Sequence, residues 1–403
     1  MDAVASREGG GRLPRTVVVL GVVSLLTDIS SDMIFPLLPA FLAARLPAAP
    51  LLLGLMEGVA DLVSSLLKYQ SGVWADRARR LKPMVLVGYG LSSLMRPLMA
   101  FVTLAWHPIA IRALDRVGKG LRSSPRDALI AHSVPEGSRG RAFGFHRGMD
   151  HAGAAVGSLA AMVLVAVGLR VEQVFFVAAV PGLLAVVALL LVREPPLPES
   201  ASAPGSTRAL APVPRRLAYY LVPITLFGVA NSTDAFLLLK LTEEGAQPEF
   251  LPLAWLLLQA VKSAVSFPAG RLADRLGASR LVVTGWSLYA LSYLALAWAR
   301  GVTLTLVVIS VYGLYHALAE GAEKSLLTSL VPAEARGRAF GLYNGLTGGS
   351  SLAAGLLFGV LWTTRGSTTA FVTAGALAGL SALLLVLLLP RARPPAQAFS
   401  ALE

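Results

Sequence analysis

A dense group of ionisable side chains stands around residue 115, inside an apolar stretch of the chain. Its members are Arg112, Asp115, Arg116, Lys119, Arg122, Arg126 and Asp127. With 3.6 residues per turn, those between positions 112 and 122 fall mostly on one face of a helix. Charges at membrane depth are costly unless they line a cavity or pair with one another. Arg112, Arg116 and Lys119 are therefore candidates for binding an anionic group or for pairing with carboxylates of neighbouring helices.

Four aspartates in other apolar segments are candidates for carrying a proton. Asp28 and Asp32 lie one helical turn apart, and Asp61 lies near the middle of the next segment. Asp234 repeats the setting of Asp32, with STD in place of SSD. Burial disfavours the charged form of a carboxyl group, so a buried aspartate can take up and release a proton. The alternative for each aspartate is a permanent ion pair with an arginine of the same cavity.

The second half of the chain offers a smaller set of polar groups. His316 and Glu320 are spaced i,i+4. Because histidine titrates near neutral pH, this pair is either a further proton site or a satisfied polar pair between helices. Asn231 and Lys262 are candidates for binding polar groups of a substrate. Arg96, in the third apolar segment, either joins them or forms a structural ion pair with one of the first three aspartates.

The elements that position these groups are predicted to be membrane-spanning helices. The chain of 403 residues is 55% hydrophobic and 14% charged, whereas soluble proteins carry about 25% charged residues. The net charge of +12 does not indicate a nucleic-acid partner, because cytoplasmic loops of membrane proteins are rich in lysine and arginine. The absence of cysteine excludes disulfides, thiolate metal sites and cysteine nucleophiles. Without a nucleophile–base motif, we predict an all-α polytopic membrane protein that is not an enzyme.

Twelve apolar segments are long enough to cross a bilayer, which takes about 20 residues. They are residues 16–42, 50–71, 83–104, 108–130, 140–168, 171–192, 217–239, 250–269, 280–299, 302–328, 337–362 and 367–389. A linker at 194–215, rich in Pro, Ser and Ala, separates a six-helix half at 15–193 from another at 216–390, with tails at 1–14 and 391–403. Arginine and lysine accumulate on one side, which predicts cytoplasmic tails and linker in an inner (cytoplasmic) membrane.

The two halves repeat each other in sequence. VPEGSRGRAFG at 134–144 returns as VPAEARGRAFG at 331–341, and GVWADR at 72–77 returns as GRLADR at 270–275. Two matches at nearly the same offset indicate a duplication. Two parallel halves related by a pseudo-twofold axis along the membrane normal, with a site between them, form a transporter architecture.

These motifs resemble those of the major facilitator superfamily (MFS), and in particular its twelve-helix drug:proton antiporters of the bacterial efflux branch. GVWADRARR and GRLADRLGASR are similar to the loop motif G-x-x-x-D-R-x-G-R-[KR], with Ala78, Arg79 and Ala278 as departures. The pattern Arg116–Gly120 resembles the RxxxG motif. The glycines between 144 and 157 resemble the antiporter motif, whose proline is Ser158 here. The resemblance implies the MFS fold and transport by alternating access.

The resemblance also implies a gate at the loop motif, where an aspartate meets neighbouring helix ends and biases one conformation. The residues assigned to this gate are Gly72, Asp76, Arg77, Arg80, Arg126, Gly270, Asp274 and Arg275. The two glycines are expected to be close-packing or turn positions.

We therefore expect a secondary transporter that moves a small organic solute by proton-coupled efflux. The proton gradient supplies the energy, so no cofactor is expected, and the partners are the substrate and the lipid bilayer around a monomer. One alternative is uptake or exchange of an organic anion or an amphiphilic phosphate compound, which the cations of the first half favour. An alternative from another class is a receptor or scaffold that does not transport, whose function would survive neutralisation of Asp32 and Arg116.

Overall fold

The computed structural model describes residues 13–78, 80–135, 139–192, 194, 215–331 and 336–389. The first half contains α1 (Arg15–Ile34), α2 (Leu38–Arg45), α3 (Ala49–Arg77), α4 (Lys82–Leu98), α5 (Trp106–His132), α6 (Arg139–Ala166), α7 (Val171–Val177) and α8 (Ala179–Leu190). The second half contains α9 (Arg215–Ala230), α10 (Ala235–Glu243), α11 (Phe250–Leu276), α12 (Ala278–Trp298), α13 (Val302–Ser329), α14 (Arg336–Arg365) and α15 (Ser367–Leu388). Short 3₁₀ helices at Phe35–Leu37 and Met99–Phe101 follow α1 and α4.

Within the described residues these helices form twelve rods, because α1–α2, α7–α8 and α9–α10 each continue as one rod. Ten rods are long and apolar enough to cross a membrane. The remaining two are α5, which carries the charged group around residue 115, and α11, whose described apolar part is the shorter Phe250–Val265. The predicted fold class, an all-α polytopic protein with twelve helices in two halves, is confirmed.

Three rods that were predicted as continuous helices are interrupted, the sixth rod only at Ala178, between α7 and α8. The first changes to a 3₁₀ turn at Phe35–Leu37, where prolines 36 and 39 remove backbone donors. The seventh, predicted as 217–239, breaks at residues 231–233. The Tyr289 hydroxyl donates to the carbonyl oxygen of Ala230 at 2.9 Å, which satisfies one of the acceptors that a helix end leaves free. Irregular backbone inside a membrane protein is tolerated where it is buried in protein or lines a cavity.

The two halves meet most extensively where α3 packs against α14 and α6 against α11, and they also meet where α2 packs against α10. The closest approach joins Gly54 of α3 to Gly355 of α14. A Cβ atom built on Gly54 would lie 1.9 Å from the carbonyl oxygen of Gly355. Only glycine fits on either helix here, so the sequence sets how closely the two backbones pack.

The apolar packing differs between the two ends of the bundle. We call the end that carries the start of α1 and the end of α15 the terminus side, and the other end the far side. On the far side, Met33 and Leu37 belong to the same buried cluster as Phe236 and Trp255 of the second half. On the terminus side, the described apolar residues of the first half, such as Val17, form a cluster of their own. Among the described residues, the halves therefore share their apolar packing on the far side.

Candidate functional site

The arginines of α5 converge on a carboxylate of α3. Arg112 holds Glu57 in a two-pronged hydrogen bond, from Nε to Oε1 at 2.8 Å and from Nη2 to Oε2 at 3.2 Å. Arg116 adds a third cationic contact, with Nη2 at 3.7 Å from Oε2. Glu57 is buried and was not among the predicted site residues, although it shares a helical stripe with Asp61. Its single negative charge offsets one of the three net positive charges of α5.

Arg96 of α4 forms an ion pair with Asp115 of α5. The Arg96 Nε lies 3.3 Å from Asp115 Oδ1, and Arg112 Nη1 lies 3.6 Å from Oδ2. Arg96 also donates through Nη1 to the backbone carbonyl of Thr27 at 2.8 Å. The predicted structural ion pair of Arg96 therefore exists, but its partner is Asp115 rather than an aspartate of α1 or α3.

Asp28 and Lys119 differ from this paired network. Asp28 lies where α1 meets α6, since a Cβ atom built on Gly153 would lie 3.0 Å from its Cβ. In the described part of the chain, neither the Asp28 carboxylate nor the Lys119 ammonium has a hydrogen bond or an ion pair. The charged groups that act on Asp28 are the carboxylates of Asp150 and Asp32 and the cations of Lys119 and Arg122. Two charged groups that are not tied to fixed partners are free to exchange a proton or bind a solute.

Asp32 connects the two halves. The indole Nε1 of Trp255, on α11, donates to Asp32 Oδ1 at 2.6 Å. The centroids of the Phe35 and Trp255 rings lie 4.6 Å apart. The Lys262 ammonium lies 5.6 Å from the centroid of the Trp255 ring. Asp32 thus has a neutral donor as its hydrogen-bond partner, at the point where the far-side cluster joins the halves.

Asp234 is the centre of a polar group in the second half. Its Oδ2 lies 2.6 Å from the Lys262 ammonium, and its Oδ1 accepts from the Tyr312 hydroxyl at 2.6 Å. His316 Nε2 lies 3.5 Å from the same Oδ1. Glu320 instead pairs with Lys324 at 3.3 Å on an exposed surface. The predicted pairing of His316 with Glu320 is therefore wrong, because the two side chains leave the helix towards different partners.

Glu323 is a buried carboxylate that the sequence reasoning passed over. Its Oε1 accepts from Trp286 Nε1 at 2.8 Å, and its Oε2 accepts from the Tyr343 hydroxyl at 3.0 Å. The Tyr220 hydroxyl donates to its backbone carbonyl at 3.1 Å. No lysine or arginine in the described ranges forms an ion pair with it.

A cavity of about 260 Å³ lies between the halves. Its walls are formed by Asp61, Ser64, Ser65 and Lys68 of α3 and by Ile224, Phe227, Gly228, Asn231, Glu323, Tyr343, Thr347, Gly348 and Ser351 of the second half. The Ser351 hydroxyl donates to Asp61 Oδ2 at 2.9 Å. Of the predicted residues, Asp61 and Asn231 line this cavity, and the α5 cations lie outside its lining. Among the described residues, no group of three or more His, Asp or Glu side chains is arranged to hold a metal ion.

The predicted gate is described only in part. Arg126 pairs with its neighbour Asp127, with Nη2 at 2.8 Å from Oδ1, and Arg80 is exposed. A Cβ atom built on Gly72 would lie 3.7 Å from Ser124 Oγ, which is an ordinary contact and not the tight approach expected for this glycine. The side chains of the other gate positions, Asp76, Arg77, Gly270, Asp274 and Arg275, lie outside the described residues.

Comparison with known proteins places this arrangement in a family. The model of the Major Facilitator Superfamily matches residues 20–259 and 224–403. An uncharacterized MFS-type transporter of Methanocaldococcus jannaschii is 29% identical over 345 residues, 84% of this chain and 86% of the relative. The multidrug resistance protein MdtH of Yersinia pestis is 25% identical over 327 residues, 79% of each chain. The crystal structure of the nucleoside transporter NupG superposes with a TM-score of 0.75 at 14% identity, covering 93% of this chain and 98% of NupG, a likeness of fold alone.

Proposed function

Because the chain belongs to the Major Facilitator Superfamily and is a multi-pass membrane transporter, not an enzyme, we propose that it exports a small organic solute by proton-coupled antiport. The similarity to MdtH, a multidrug resistance protein, supports the direction of efflux. The distribution of arginine and lysine supports cytoplasmic termini in an inner membrane. The proton gradient then supplies the energy, and the protein requires no cofactor.

Asp28 is the observation that carries the proton coupling. It lies where α1 packs against α6, and the described residues give its carboxylate no hydrogen bond or ion pair. A partly buried carboxylate without a partner is relieved of its charge when it takes up a proton. Lys119, which is equally unpaired, acts on Asp28 through its charge. Protonation of Asp28 would change the balance of charge beside α5, and so the preference between conformations.

The packing of the halves supports alternating access. With the terminus side in the cytoplasm, the shared far-side cluster closes the external end of the bundle. The separate terminus-side cluster is consistent with a cavity that opens to the cytoplasm. The hydrogen bond from Trp255 to Asp32 belongs to the closed end, and its loss would accompany opening to the outside.

Reconstitution in proteoliposomes tests the proton coupling. A panel of solutes sorted by charge is screened for solute-dependent proton movement under an imposed pH gradient. In the Asp28→Asn variant we expect proton-driven accumulation to disappear while solute counterflow, which needs no net proton transfer, persists. Asp127→Asn on α5, whose side chain is about half exposed, is the matched control and keeps both activities. Proton-driven accumulation that survives in Asp28→Asn contradicts the proposal.

A second candidate function is uptake or exchange of an organic anion. The observation that favours it is the pair of cations on α5, since Lys119 is unpaired among the described residues and the buried Nε of Arg116 has no hydrogen-bond acceptor. An anionic solute would supply the missing acceptors. In this case Lys119→Ala would abolish anion flux in the same proteoliposomes, and Asp28→Asn would leave it unchanged.

A further inference from the structure

We propose that the cavity between the halves binds a small hydrophilic solute that carries an ammonium group, and that Glu323 and Asp61 receive its positive charge. The proposal rests on the proposed transport function and adds the class of solute. It concerns a wall of the cavity formed mainly by the second half, and it does not involve Asp28, to which the proton coupling is assigned.

Glu323 provides an acceptor that its neighbours do not exhaust. Its two hydrogen bonds come from Trp286 and Tyr343, which are neutral groups. An ionised carboxylate offers about four lone-pair positions, so each oxygen keeps one for a further donor. Because the described residues bring no ion-pair partner to Glu323, a cationic solute in the cavity would be the partner that compensates its charge.

Asp61 adds a second carboxylate to the same cavity from the opposite half. Its hydrogen bond from Ser351 again comes from a neutral donor. Lys68 is the one cation among the cavity-lining residues, and the described residues show no ion pair between it and either carboxylate. Two carboxylates and one ammonium leave the cavity with a net negative charge when all three are ionised, which favours a positively charged solute.

The size and polarity of the cavity restrict the solute further. Sites for drug-sized ligands hold about 300–1,000 Å³ and are mostly apolar. This cavity holds about 260 Å³, and its walls carry the hydroxyls of Ser64, Ser65 and Thr347 and the amide of Asn231. Hydroxyl and amide groups favour binding of a solute that forms hydrogen bonds with them, and they disfavour binding of a solute that leaves them without partners. The occupant is therefore small and hydrophilic rather than a lipophilic drug.

The absence of cysteine from the chain makes the charge preference of the cavity measurable without knowledge of the natural solute. Thr347 lines the cavity and bonds only to carbonyl groups of its own helix, so Thr347→Cys places one thiol there with little disturbance. Three methanethiosulfonates are compared in the full-length protein in detergent: trimethylammonium-ethyl, sulfonatoethyl and benzyl. Each rate is divided by the rate of the same reagent with 2-mercaptoethanol, which removes differences of intrinsic reactivity.

We expect the trimethylammonium reagent to react about tenfold faster than the sulfonate, the effect of about 1.4 kcal/mol of favourable charge interaction. Adding Glu323→Gln should lower that ratio at least about threefold, because it removes one charge from the wall. Glu320→Gln, on the same helix but paired with Lys324 outside the cavity lining, is the matched control and leaves the ratio unchanged. If the Glu323 variant does not fold, Asp61→Asn makes the same test from the other wall.

Each other outcome overturns the proposal. Faster reaction of the sulfonate would assign the cavity to anions, and fastest reaction of the benzyl reagent would indicate an apolar drug site. Equal ratios in the presence and absence of Glu323 would show that this carboxylate does not act on the cavity. Asp28→Asn is expected to leave the normalised rates of all three reagents unchanged. A failure of proton coupling and a failure of the charge preference are therefore separate results.

Discussion

The two halves of this transporter treat buried carboxylates in different ways. In the first half, Glu57 and Asp115 are each contacted by two arginines. In the second half, Glu323 has Trp286 and Tyr343 as its partners, within a cluster of stacked aromatic rings. Fixed ion pairs resist a change of charge, because loss of either partner leaves an uncompensated ion. Neutral donors impose no such restriction, so the carboxylates that can change their charge or partner are those without a cationic partner.

The aromatic side chains follow the same division. Phe227 stacks on Trp286 with ring centroids 4.4 Å apart, and Tyr289 stacks on Tyr293 at 4.1 Å. Aromatic residues are only 7% of the chain, but these four are concentrated in the buried core of the second half. The tyrosine hydroxyls and the tryptophan indole supply hydrogen bonds without bringing a charged group into the core. Around Glu323, the second half thereby stabilises a buried carboxylate with neutral donors, whereas its Asp234 is paired with Lys262.

The largest expected effect is that of Glu57→Gln. This change leaves Arg112 and Arg116 beside a neutral amide in a buried site, so the folded protein should lose about 3–5 kcal/mol. Thermal unfolding in detergent, monitored by size-exclusion chromatography, measures this loss of stability. Removing the cation as well, in Glu57→Gln with Arg112→Met, should recover part of it. A Glu57→Gln protein as stable as the parent would show that the arginine network is not structural.

The same substitution at Glu323 sharpens the comparison. Glu323→Gln keeps an acceptor for Trp286 and leaves no cation unpaired among the described residues, so a loss of only about 1 kcal/mol is expected. The identical melting assay is used for both glutamates. If Glu323→Gln destabilises the protein as much as Glu57→Gln does, the proposed difference between the halves is wrong.

Asp32 is one of the carboxylates of the first half that no arginine contacts among the described residues, since its hydrogen-bond partner is Trp255. We expect Asp32→Asn to fold with a loss of about 0.5–1.5 kcal/mol, because the amide oxygen still accepts from the indole. Proton-linked transport in proteoliposomes should be lost, since the amide cannot titrate. Unchanged proton-linked flux would contradict the assignment of Asp32 to proton coupling and would indicate a structural role instead.

Glu320→Gln is expected to have the smallest effect. The side chain of Glu320 is 63% exposed, and exposed ion pairs contribute about 0–1 kcal/mol. Melting temperature and proton-linked flux should both stay close to those of the parent. A strong loss of flux would restore the role that the sequence suggested for Glu320 beside His316.

The sequence was sufficient for the fold because that information is local or repeated. Hydrophobic length predicts each rod, and the returning motifs predict the two halves. The ion pairs were not predictable in the same way, because they depend on how each helix is rotated about its axis. Arg96 faces Asp115 and His316 faces Asp234 for this reason. Glu323 was missed because its neighbours in sequence are charged, whereas its partners in space, Trp286 and Tyr343, are distant in the chain.

The contact between Gly54 and Gly355 has a mechanical consequence. Where two helices touch through their backbones, no side chain has to change rotamer when one helix turns against the other. Rotation of one half against the other about this crossing keeps the backbone contact, whereas a translation of one helix along the other breaks it. A methyl group added at either glycine would push α3 and α14 apart at the crossing. It would thereby change how far the two ends of the bundle move when the halves rotate.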